Sequence, residues 1–72
     1  MFNKVILMGR ISEPPDLFTA RTGMAVCRIK VETRTPVPWR EQDHREWTVV
    51  KLFGAQAEAA RFWRIGDVVS IE

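Results

Sequence analysis

Trp47, Val49, Lys51 and Phe53 occupy alternate positions in the run from Glu46 to Phe53. Residues two apart share one face of a β-strand and stand about 7 Å from one another. That face carries two aromatic rings with a cation between them. The run 24–34 alternates too, with Ala25, Cys27, Ile29, Val31 and Thr33 on one face and Val26, Arg28, Lys30, Glu32 and Arg34 on the other. If the two runs pair, Arg28, Lys30 and Arg34 come to lie beside the rings. Planar rings stack on nucleobases, whatever their sequence, and Lys and Arg neutralise phosphates and release counterions. Rings interleaved with cations have the chemistry for holding unpaired nucleotides. The same rings admit a plainer use, because Trp and Phe on strands commonly pack in a core or an interface. A dry layer would then have to hold Lys51 and the cations opposite it, which is costly without partners.

Other side chains are open to fewer uses. Trp39 lies in a proline-rich turn, where it is either a lid on the core or an exposed stacking group, and Arg40 and Arg45 are placed to extend a track of phosphate contacts. The alternative for both arginines is plain solvent exposure beside Glu41, Asp43 or Glu46. Nothing points to a catalytic residue. Ser12 and Ser70 have no histidine at a suggestive spacing, and Cys27 falls on a core face without an evident base. Asp43-His44-Arg45-Glu46 could be drawn as an acid–base group but reads as a solvated turn. One cysteine and one histidine make neither a disulfide nor an ordinary zinc set. The scattered glycines form no phosphate loop. No enzyme activity, cofactor, metal or small-molecule substrate is expected.

The elements that position these residues follow from pattern. Residues 3–11, Asn-Lys-Val-Ile-Leu-Met-Gly-Arg-Ile, are apolar on both faces and read as a first strand buried on two sides or covered by a partner. Ser12 to Asp16, with two prolines, breaks it, and the segment to Gly23 reads as a loop or a distorted continuation. The second strand, 24–34, ends at Pro36 and Pro38. A polar hairpin loop follows, then the third strand, 46–53, with Val50 and Leu52 pointing inward. Residues 55–63 are helical by propensity, with Ala59, Phe62 and Trp63 on one core-facing side and Gly66 just past the end. Val68-Val69 and Ile71 form a last short strand. The order is strand, strand, strand, helix, strand.

The totals set limits. At 72 residues the chain is one domain, residues 1–72. So short a chain buries only about 60% of its unfolded surface, so packing and a partner chain are expected to stabilise it. Net charge is +2, but residues 1–40 hold seven Lys and Arg against three acids and residues 41–72 hold four against six, so a polyanion-facing surface would draw on the first half. There is no export signal and no run of about 20 apolar residues, which points to a cytoplasmic protein without membrane contact.

Four stretches, in order, resemble the oligonucleotide-binding domain of bacterial single-stranded-DNA-binding proteins. They are Asn3 to Arg10; Pro15-Asp16-Leu17 with Thr22 to Val26; Glu46 to Gly54; and Ala57-Glu58 with Gly66 and Val68 to Glu72. The resemblance implies a mainly β, five-stranded Greek-key barrel with one helix between strands three and four. It implies assembly into homodimers or tetramers, and binding of single-stranded DNA in replication, recombination or repair near the nucleoid. Stacking carries over to Trp47 and Phe53, and to Trp39 at a shifted spacing. Phosphate contacts carry over by position to Lys4, Arg10, Arg28, Lys30 and Lys51, with Arg34 beside them. The family continues into a long hairpin, a fifth strand with a further aromatic, and an acidic tail that recruits partners. None of these is in the sequence, so the expectation is a truncated domain or a last strand from another subunit. Thr48 stands where many members have a histidine tied to subunit assembly. An alternative keeps the fold but gives it mainly to protein contact, as an assembly or primosome-accessory module anchored by Trp47 and Phe53.

Overall fold

The computed structural model describes residues 7–72. Strand β3, Ala25–Thr35, is its axis. Its inward residues Cys27, Ile29 and Val31 are at most 1% exposed. On one edge β3 pairs with β4, His44–Phe53, antiparallel and without interruption from Val26↔Phe53 to Thr35↔His44. Its other edge is shared. β2, Asp16–Thr19, pairs with residues 25–28, and β1, Leu7–Ile11, meets β3 at Arg10↔Glu32 and Ile11↔Val31. β5, Val68–Ile71, then pairs antiparallel with β1. Among the described residues this five-stranded antiparallel sheet does not close, since β4 pairs only with β3 and β5 only with β1. The order and the single helix ahead of the last strand are those of an oligonucleotide-binding fold.

The segment after the first strand resolves into a continuation. Ser12 donates its backbone N–H, at 3.0 Å, and its hydroxyl, at 3.1 Å, to the Lys30 carbonyl, so the chain stays on the edge of β3 up to Pro14-Pro15. Beyond the prolines it resumes pairing as β2. Leu17 points at the core and Phe18 away from it.

The described part of the first strand is not buried on both faces. Met8 is 64% exposed and Arg10 is exposed, while Ile11 is in the core. The helix departs further from expectation. α1 spans only Ala55–Ala60, and its buried residues are Ala57 and Ala60 rather than Ala59. Two alanines three apart let the helix sit close on the sheet. At 3.6 residues per turn, Phe62 lies roughly 140° round from Ala57, so continuing the helix would not bring it inward. The chain tightens instead, with Phe62 N–H donating to Ala59 O and Trp63 N–H to Ala60 O. Phe62 is 72% exposed, with the Arg61 guanidinium 4.8 Å from its ring centre. Trp63 alone of the pair packs on the core. Gly66 does not cap the helix. It lies in the turn before β5, where its N–H donates to Ile11 O and its carbonyl accepts from Arg10 Nη1, both at 2.8 Å.

The core comprises Ile11, Cys27, Ile29, Val31, Ala57, Ala60 and Val69, with Leu17, Val50, Leu52 and Trp63 among the half-buried residues around it. Two close fits mark it. Gly9 is where β1 crosses β3. A Cβ there would lie 2.7 Å from Val31 Cγ1 and nearer still to the Glu32 carbonyl oxygen. Cys27 is fully buried, and burial, with a smaller contribution from the Asp16 carboxylate, pushes its thiol above its ordinary value of 9.0.

Gly9→Ala is expected to destabilise the fold by about 1–3 kcal/mol, because backbone as well as side chain must move. A lowered urea midpoint checks it, and an unchanged midpoint would show that the two strands part freely. The Cys27 thiol is expected to resist alkylation at pH 8 in the folded protein and to react once urea unfolds it. Since its folded value lies above the unfolded one, its contribution to stability is intact below the ordinary thiol range and is lost as pH rises through the folded value. Rapid labelling of the native protein would contradict the burial.

Candidate nucleic-acid interface

The register of β3 with its neighbours assembles one outward face. Directly opposed residues of an antiparallel pair project to the same side. From one end, Phe53, Val26 and Phe18 form a first row, and Lys51, Arg28 and Asp16 a second. Val49 stands opposite Lys30; Trp47, Glu32 and Arg10 follow; Arg45 stands opposite Arg34. Trp47 is 51% exposed and Phe53 53%. Neither ring is sealed in a dry layer. Along β4 they are separated by six residues, about 20 Å. Val49 and Lys51, both exposed, lie between them.

The cations are unequal. Among the described residues Lys30 and Lys51 have no ion-pair partner. They lie towards the Phe53 end. Towards the Trp47 end the Glu32 carboxylate accepts from Arg34 Nε at 3.0 Å and has Arg45 Nε at 3.6 Å. Arg28 has Glu13 at 3.5 Å, with both side chains about two-fifths exposed. Pairs this exposed are weak and readily exchanged. Arg10 spends one guanidinium nitrogen on the Gly66 carbonyl. Lys4 lies outside the described residues.

Trp39 is set apart from the sheet rows. It sits in the connection between β3 and β4, 80% exposed, in a turn where Arg40 N–H donates to Val37 O at 3.1 Å. It shares an open groove with Pro36, Pro38, His44 and Glu46. It is not a lid on the core.

The residues considered for catalysis do not converge. His44 Nε2 lies 3.1 Å from Glu46 Oε1 on an exposed strand end, and the Ser12 hydroxyl is committed to a backbone carbonyl. The Cys27 thiol is buried and held protonated. Among the described residues no group of three or more His, Cys, Asp and Glu could hold a metal ion, and no helix is long and apolar enough to cross a membrane.

Pattern reading misses one member of the face, Phe18, and the pairing of another, Glu32. Phe18 is hidden because its segment reads as either a loop or a distorted strand continuation, although Leu17-Phe18 in–out alternation after Pro15 is the available signal. Glu32 was visible on the face, but its hold on two arginines depends on register and rotamer.

Comparison with known proteins agrees with the fold. The model of the Single-strand binding protein family matches residues 2–72. The single-stranded DNA-binding protein of Xanthomonas campestris pv. campestris is 36% identical over 74 residues, covering 97% of this chain and 43% of that protein. Those of Xanthomonas axonopodis pv. citri and Xylella fastidiosa are each 35% identical over 97% of this chain, and 41% and 45% of their own lengths are covered. The chain thus spans less than half the length of these relatives. A match across nearly every residue, on a sheet of the order and openness described above, places the chain in the Single-strand binding protein family.

Proposed function

We propose that the outward face of β3 and β4 binds single-stranded DNA without regard to sequence. The observation that carries the reading is the half-exposure of Trp47 and Phe53 on one face, with unpaired Lys51 between them and Lys30 beside them. Trp47 and Phe53 are the stacking groups, and Trp39 continues the path beyond the end of the sheet. A stacked base contributes about 1–3 kcal/mol, and every base has a face to offer. Lys30 and Lys51 are the readiest phosphate contacts. Arg28, Arg34, Arg10 and Lys4 follow, the first three after exchanging an internal partner for phosphate. No reacting group is needed, and the work is binding alone. The setting that suits it is replication, recombination or repair, wherever duplex is opened.

Assembly with further copies of the chain is part of the proposal. Among the described residues the outer edges of β4 and β5 are unpaired, and Met8 and Val68 are each more than 60% exposed. The same observations favour a second reading, in which the domain acts mainly through protein contact.

Titration with oligo-dT is expected to quench tryptophan emission, and added salt to restore it. Trp47→Ala is expected to weaken binding by about 1–3 kcal/mol, roughly 5- to 150-fold. An unquenched, folded sample, whose mass rises with protein concentration but not with DNA, would favour the assembly reading. Glu32→Gln is expected to strengthen binding by up to about fivefold at low salt, since it frees Arg34 and Arg45 from a pair worth up to about 1 kcal/mol. Weaker binding by this variant, measured in the same titration, would mean that the carboxylate positions the arginines for phosphate.

A further inference from the structure

We propose that Phe18 is an additional base-stacking residue, which takes the bound strand sideways off β4, across β3 and onto β2. The inference rests on the single-strand reading above and extends its path. Register places Phe18 opposite Val26 and Val26 opposite Phe53, so the two rings flank one small side chain on a common face. Two strand spacings of about 4.8 Å set their backbones roughly 10 Å apart, enough for each ring to take its own base. Val26 between them is only 3% exposed, so the row is continuous and apolar.

Phe18 lies outside the core, and its place in the fold is to flank Val26 together with Phe53. The core-facing residue of β2 is Leu17, while Phe18 is 42% exposed and outside the core cluster. A strand that faces water on one side ordinarily presents polar residues there. Its surroundings suit a nucleotide. Arg28 and Lys51 occupy the adjacent row. Arg21 is exposed in the tight turn that follows β2, and among the described residues it has no ion pair. Among the described residues two acids stand at this part of the face, Asp16 directly opposite Arg28 and Glu13 in an exposed pair with it at 3.5 Å, which phosphate can exchange. An unpaired base on Phe18 would have its phosphates within reach of cations on both sides. Stacking there is indifferent to base identity, so the consequence is a longer site rather than a more selective one.

The test is a titration of the full protein with oligo-dT of increasing length, using the parent, Phe18→Ala and Phe18→Trp. Phe18→Ala is expected to bind the shortest oligonucleotides as the parent does, and long ones at least about fivefold more weakly. Phe18→Trp is expected to restore long-strand affinity, with additional emission quenched by DNA. Equal affinity of Phe18→Ala and the parent at every length, with Trp47 still quenched, overturns the role of Phe18 and leaves the single-strand reading standing. So does an equal loss at all lengths accompanied by a lower melting temperature or a changed assembly mass, which marks a structural residue. Failure of the parent to bind any oligo-dT overturns both.

Discussion

Ten consecutive cross-strand pairs, from Val26 with Phe53 to Thr35 with His44, hold β3 and β4 in one register. Because side chains alternate with period two, a slip by one residue would turn every side chain to the other face. Cys27, Ile29 and Val31 fill the interior, which forbids the slip. The residues between them, Val26, Arg28, Lys30, Glu32 and Arg34, have nowhere to go but outward, and β4 follows in phase. Packing and display are thus one constraint. The apolar half of each strand fixes where the aromatic and cationic half must stand, and no separate scaffold is needed for the site.

Charge on that face is graded. Near Phe53 the lysines have no ion-pair partner among the described residues, although Glu13 pairs with Arg28 beside them and Asp16 stands at the far edge, whereas near Trp47 Glu32 occupies two arginines. A polyanion arriving at the Phe53 end meets Lys51 and Lys30 without displacing an acid, and only Arg28 gives up its exposed pair with Glu13. At the other end it must take the place of a carboxylate. Exposed pairs are cheap to exchange, so on the proposed reading this tunes affinity without blocking access. The mixed signs also limit the self-repulsion that a purely cationic sheet of this small size would carry.

The strands that carry the proposed site were readable because alternation is a local signal. Cys27, Ile29 and Val31 against Arg28 and Lys30 give the face of β3 directly, and Val50 and Leu52 give that of β4. The fold class followed from the element order and from the resemblance of four ordered stretches. What was not readable depended on contacts distant in sequence. β2 becomes a strand because the edge of β3 below Lys30 is vacant for it, which two prolines concealed. Phe62 looked buried by spacing, but the small residues Ala57 and Ala60 decide which side of α1 meets the sheet. Gly66 resembled a helix cap, yet its role is set by Ile11 and Arg10, more than fifty residues earlier. Exposure of the two key rings was the question that sequence left open, since the same alternation serves a covered sheet and an open one.

The most direct test of the central claim is a residue-level map of where DNA touches the protein, by chemical-shift changes in isotope-labelled protein titrated with oligo-dT. The account predicts that the indole N–H of Trp47 and the backbone amides along the outward positions of β3 and β4 shift together, while Trp63 and α1 stay still. Shifts confined to the surface of Phe62, Ile65 and Val68, with Trp47 unmoved, would contradict it.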